Sequence, residues 1–162
     1  MKVLYICAAV LLLAGCGPSI IAGGYSGDGY KSPTLDVGGT VKLYLERARY
    51  AREHGLVVEI RGSCDSACLL KLASGENLCV HPLAMFGVHE VRTFREGRSY
   101  ASPRDAYRDG IRDAASTEKF REALPQCAAA LFSKYGTFNS GTATYFLGQE
   151  ILDACPTIKK CT

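Results

Sequence analysis

The stretch LVVEIRGSCDSACLLKLASG, residues 56–75, decides how this chain is read. LVVEI is short, apolar and β-branched, the composition of a buried strand. ACLLKLAS, closed by Gly75, reads as a short buried helix. Between them GSCDSAC makes a tight turn that sets Ser66 between Cys64 and Cys68 and beside Asp65. A serine there is either a helix N-cap after the turn or a hydroxyl presented for chemistry at a strand-to-helix corner. Asp65 reads as a turn residue whose side chain diverges from the hydroxyl.

Outward from this stretch, strands alternate with helices. GTVKLYLERARYAREHG, residues 39–55, places Val41, Tyr44, Leu45, Ala48 and Ala51 on one helical face, with Thr40 as a cap and Gly55 as a stop. ENLCV and AMFGVHEV read as two further strands separated by a turn at His81-Pro82. Residues 93–117 are charged and aperiodic, with a polar helix beginning at Ser102-Pro103. Residues 118–135 are helical in period but broken at Pro125. A strand over 142–147, a short helix over 149–154 and a cysteine-tied tail complete the chain. This order predicts an α/β layered fold with a small, mostly parallel sheet flanked by helices.

The N-terminus, MKVLYICAAVLLLAGC, has the layout of a secretory signal, and its apolar run is too short to span a bilayer. LAGC resembles the bacterial lipobox, which implies cleavage before Cys16 and a lipid on that residue. The expected organisation is a signal over 1–15, a lipid anchor and Gly/Ser/Pro-rich tether over 16–34 with an edge strand near Ile20, and one domain over 35–162. Location is then the periplasmic side of the cell envelope, with the membrane as a partner through the anchor. Gly17 and Pro18 after the cysteine favour the outer membrane in the usual sorting pattern. Net charge is +3, with 19 Lys and Arg scattered among 16 Asp and Glu, which gives no basic patch for nucleic acid.

Setting aside Cys7 and Cys16, the domain keeps Cys64, Cys68, Cys79, Cys127, Cys155 and Cys161. In an exported domain these six are disulfide candidates, with fifteen connectivities open. Cys64, Cys68, Cys79, His81 and His89 fit the paired hooks of zinc sites poorly, so neither metal nor cofactor is expected. A thiol enzyme using Cys64 or Cys68 is disfavoured against a disulfide to Cys79 or a more distal cysteine. His54 reads as a histidine at a helix C-terminus and His81 as a loop residue.

A hydroxyl nucleophile needs a base and a place for the oxyanion. His89, at the end of a strand that can pair beside LVVEI, is the candidate base. The N–H of Ala67 and that of Gly39, in the Gly38-Gly39 pair at a helix start, are candidate oxyanion donors.

The series V-G-G-T-V, amphipathic helix, apolar strand, G-x-x-x-S, short helix, then A-M-F-G-V-H resembles the Clp protease proteolytic-subunit and crotonase superfamily. It is more closely similar to small exported bacterial Clp-like proteins carrying G-x-C-x-S-A-C. Gly39 precedes Ser66 by 27 residues and Ser66 precedes His89 by 23, in keeping with that family. The resemblance covers about residues 35–92. It implies a trimmed, disulfide-stapled version of the Clp/crotonase fold in which Ser66 is the nucleophile, His89 the base, and Gly39 and Ala67 the oxyanion donors. The family's catalytic aspartate falls in GTFNSGTATYFLGQE, where counting selects Asn139 and the likeness of TYFLGQE selects Thr144. The implied activity is that of a serine hydrolase, a peptidase acting on a peptide or protein, and an oligomer is compatible with it. The alternative is a non-catalytic binding or structural envelope lipoprotein on the same scaffold.

Overall fold

A computed structural model describes residues 29–31, 35–94, 105 and 108–162. The signal-like segment, Cys16, the strand near Ile20 and the helix start at Ser102-Pro103 lie outside the described residues.

The chain passes back and forth between two sheets. β1 (Gly29–Lys31) enters the first sheet and β2 (Leu35–Asp36) the second, after which α1 (Val41–Glu53) carries the chain back. β3 (Val57–Ile60) rejoins the first sheet, and β4 (Ser63–Asp65) the second, followed by a 3₁₀ helix over Ser66–Ala73. β5 (Leu78–Val80) and β6 (Met85–Val88) repeat the alternation. β7 (Arg92–Thr93) and β8 (Ile111–Arg112) form a separate antiparallel ribbon. Then come α2 (Ala114–Ala123), α3 (Gln126–Lys134), a 3₁₀ turn at Thr137–Asn139, β9 (Thr144–Leu147), α4 (Gly148–Ala154) and β10 (Lys159–Lys160). The first sheet has the order β1-β3-β5-β10, all parallel, and the second the order β2-β4-β6-β9, in which only β9 runs antiparallel.

The protein is thus mixed α/β, with small sheets flanked by helices. Where the sequence suggested one small sheet, there are two four-stranded ones. Gly62 and the turn before Ala84 redirect the chain after only a few residues of strand, too short a run for periodicity to separate a second strand from a turn. One consequence corrects a neighbour relation: β6 pairs with β4, while β3 pairs with β5.

Burial follows the pleat. In the second sheet Asp36, Cys64, Phe86 and Phe146 pair across one row of the inner face, and the three apolar ones are buried. Val58, Ile60, Leu78 and Val80 supply the first sheet's share of the core, and Leu69, Leu70 and Leu72 that of the 3₁₀ helix. Phe120, Phe132, Phe138 and Phe146 meet in tilted and edge-on contacts that join α2, α3 and β9.

α1 ends as its sequence predicts: Gly55 is left-handed at φ +61°, Leu56 N–H reaches the Ala51 carbonyl and Gly55 N–H that of Arg52. Thr40 holds the N-cap position, but its side chain makes no capping bond. Pro125 separates α2 from α3.

All six domain cysteines are paired, as Cys64–Cys68, Cys79–Cys161 and Cys127–Cys155. The expected partner of the Ser66 turn cysteines, Cys79 or one farther off, is replaced by a bond within the turn itself. Cys79–Cys161 ties the tail back to β5, and Cys127–Cys155 joins α3 to the end of α4. Three disulfides are compatible with an extracytoplasmic protein. No described helix is long and apolar enough to cross a membrane.

Candidate functional site

Ser66 sits where β4 turns into the 3₁₀ helix, with φ +57°, the only positive φ outside glycine among the described residues. That conformation costs a serine on the order of 1 kcal/mol or more, and it persists only where surrounding structure imposes it. The Cys64–Cys68 bond encloses the residue from both sides. The N-cap position belongs to Asp65, whose side chain makes no capping bond. The Ser66 hydroxyl has no hydrogen-bond partner among the described residues. The capping role open to this serine in the sequence is therefore not the one it fills.

Gly38 and Gly39 lie against this turn. Gly38 is left-handed at φ +76°, and a Cβ there would meet Asp65 O at 2.5 Å and Ala67 N at 2.7 Å. A Cβ on Gly39 would meet only the Tyr44 ring, at 3.6 Å. Gly38 is thus the residue that allows close approach. Gly39 N–H has no partner among the described residues. Ala67 N–H opens the 3₁₀ helix, where the first amides have no carbonyl within the helix to bond.

His89 follows β6, just past its last strand residue. Its Nδ1 lies 2.6 Å from the Glu90 carbonyl oxygen. A carbonyl only accepts, so Nδ1 carries the proton and Nε2 holds the lone pair of a base. Burial is the main influence on the ring and pulls its pKa below the ordinary 6.5, against the Glu90 carbonyl and the nearby charge of Asp65. That shift favours the neutral imidazole at pH 7.

Ser66, His89, Gly39 and Ala67 all line one cleft of about 1090 Å³, together with Asp65. Val37, Val41, Val91, Phe94, Phe120 and Tyr145 make its walls mainly apolar. No hydrogen bond joins Ser66 to His89. Bonds of this kind often close only around a substrate.

The two orienter candidates are placed apart from the cleft lining. Thr144 pairs with Val88, immediately before His89. Asn139 lines a separate cleft of about 310 Å³, and its side-chain oxygen accepts from Arg112 at 2.7 Å. Arg112 and Arg92 both ion-pair with the Glu90 carboxylate, only 4% exposed. Asn139 thus connects to His89 at two removes, through the guanidinium and carboxylate that anchor Glu90, whose carbonyl sets the tautomer.

Glu90 has no role in the sequence reading, and Asp65 reads there only as a turn residue. Asp65 pairs with Gly87, and a Cβ on Gly87 would lie 2.5 Å from its carboxylate oxygen. The missing side chain lets that carboxylate lie across β6, two residues from His89. Ser63 Oγ donates to the same oxygen at 3.1 Å. The cue in the sequence is the glycine inside AMFGVHEV, which as a strand interruption signals a close approach.

No protein-family model matches the sequence, and no curated protein is significantly similar to it.

Proposed function

We propose that this chain is an exported, lipid-anchored serine hydrolase, a peptidase in reaction type, built on a trimmed Clp/crotonase-like scaffold. The observation that carries the proposal is Ser66 itself: a non-glycine residue held left-handed at a strand-to-helix corner, its hydroxyl uncommitted, lining a cleft with a histidine whose pKa burial lowers. The alternation of β1 to β6 between two sheets supports the scaffold, the three disulfides support export, and the lipobox-like LAGC supports the anchor at Cys16.

In this reading Ser66 Oγ attacks the substrate carbonyl carbon as His89 Nε2 takes its proton. The oxyanion is held by the N–H groups of Gly39 and Ala67. The tetrahedral species collapses when His89 returns the proton to the leaving amine, leaving an acyl ester on Ser66. Water, deprotonated by the same nitrogen, then hydrolyses the ester. Throughout, Nδ1–H stays on the Glu90 carbonyl. Asp65 supplies negative charge for the transient imidazolium, a role that a carbonyl fills less well.

The test is a fluorophosphonate probe on the purified chain. A covalent adduct is expected on the peptide containing Ser66, with a rate cut by about 10²-fold or more in His89→Gln. No adduct at any concentration of probe, or one elsewhere, rejects hydrolysis in favour of a binding lipoprotein on the same scaffold.

The probe reaction also has an expected pH dependence. Because burial depresses the His89 pKa, the rate is flat at neutral pH and falls through a midpoint below 6.5. The unfolded chain binds the proton more readily, so the same group stabilises the fold above the unfolded pKa, and that contribution is lost as pH falls through the folded one. A rate profile with its midpoint above 7 contradicts this assignment.

A further inference from the structure

Asp36, the last residue of β2, has a largely buried carboxylate that three elements share. Its Oδ1 accepts from Gly38 N–H at 3.0 Å and from the Tyr44 hydroxyl of α1 at 2.6 Å. Its Oδ2 accepts from Lys71 Nζ, on the 3₁₀ helix that begins at Ser66. The Lys71 side chain is 2% exposed and that of Asp36 10%, and the ammonium also lies 5.3 Å from the centre of the Tyr44 ring. Burial works to raise the Asp36 carboxyl, but the bonds and charge from Lys71 and the bond from Tyr44 outweigh it and hold the group ionised.

A buried ion pair of this kind is a weak source of stability, since apolar residues of similar size often serve as well. What it supplies here is a fixed distance. One end of the pair holds the Gly38-Gly39 turn and the other holds the helix of Ser66 and Ala67. A Cβ on Gly38 would come within 2.7 Å of Ala67 N, so the two backbones already touch. Gly39 has no side chain of its own to anchor it.

We propose that Asp36 and Lys71 are positioning residues that set the spacing between the Gly39 and Ala67 N–H groups, and so the shape of the oxyanion hole. This role rests on the hydrolase reading for its chemistry, while the clamp on the two turns is measurable without it.

The test compares the full chain with an Asp36→Leu/Tyr44→Phe/Lys71→Met variant, which replaces every member of the cluster by an apolar residue. Two readouts are followed. In fluorophosphonate inactivation, kinact is expected to fall roughly 10–100-fold while KI stays within about twofold, the mark of a displaced oxyanion hole rather than a lost binding wall. In amide hydrogen exchange, Gly38, whose N–H donates to Asp36, is expected to exchange at least about 10-fold faster, with Val58 and Val80 in the core unchanged.

Unchanged kinact in a folded triple variant overturns the proposal, even where Gly38, which has lost its acceptor, exchanges faster. If the wild-type chain takes no probe at Ser66, the hydrolase reading fails and the exchange data alone decide the clamp. Asp36→Asn/Lys71→Met, which keeps an acceptor for Gly38 N–H and the Tyr44 hydroxyl and removes the tie to the 3₁₀ helix, carries both readouts beside the triple variant, or in its place if that variant does not fold. An expected loss of about threefold in kinact supports the proposal there, and no change in either readout rejects it.

Discussion

Ser66→Gly is expected to abolish fluorophosphonate labelling and at the same time to stabilise the fold by about 0.5–1 kcal/mol. The two effects have separate causes. Labelling ends because the attacking oxygen is gone. Stability rises because a left-handed backbone at φ +57° costs serine energy that glycine does not pay. Against this gain stands the greater freedom of glycine in the unfolded chain, which limits the net effect. Nothing further is lost, since the hydroxyl has no hydrogen-bond partner among the described residues.

Ser66→Ala separates the two contributions. It is equally inert to the probe but keeps the backbone strain, so its unfolding midpoint stays at that of the wild type. Urea unfolding of the three proteins, followed by circular dichroism, makes the comparison. A Ser66→Gly protein clearly less stable than wild type would mean that the serine is held for structure and not presented for chemistry.

Gly38→Ala is expected to destabilise the fold by about 3 kcal/mol or more, and to lower the labelling rate of whatever remains folded by at least roughly 10²-fold. The added Cβ would stand 2.5 Å from Asp65 O and 2.7 Å from Ala67 N, both backbone atoms of the Ser66 turn, and φ +76° is itself unfavourable for alanine. Relief requires the two turns to part, which moves both oxyanion donors. Gly39→Ala is the control. Its Cβ meets only the Tyr44 ring at 3.6 Å, with no strained φ, so a loss below about 1 kcal/mol is expected. Denaturant unfolding and probe kinetics on the two variants test the contrast. Equal stability losses would show that the close approach at Gly38 is not what holds these turns together.

Much of the local structure was legible because it is written in short-range signals. The face of α1 formed by Tyr44, Ala48 and Ala51 is buried as its spacing predicts, Gly55 ends that helix and Pro125 splits the next pair. The strand-to-helix corner at Ser66, the glycine pair at the start of α1 and the position of His89 at the end of β6 were also readable. What these signals lack is partner information. The pairing of β6 with β4, and not with β3, depends on which short strand crosses to which sheet. Pattern alone misses this, because β4 is three residues long and reads as turn.

The third member of the site shows the same division. Counting along the chain points to Asn139, yet that side chain meets Arg112 in another cleft. Among the groups that act on the His89 ring are a backbone carbonyl, invisible in any sequence, and the charge of Asp65, which reads as a turn residue until its register opposite Gly87 is known.

Short-range signals were enough for an α/β chain with strand-turn-helix punctuation, an even set of domain cysteines, and a serine and a histidine at element ends, since each follows from residues within a few positions of one another. Tertiary packing alone settles the two-sheet alternation, the Cys64–Cys68 bond around Ser66, the left-handed serine, the bond of Asp36 with Lys71, and the place of Asp65 opposite Gly87, two residues from His89. These depend on contacts between residues on different strands and helices, and which such contacts form is fixed by the packing of the whole chain.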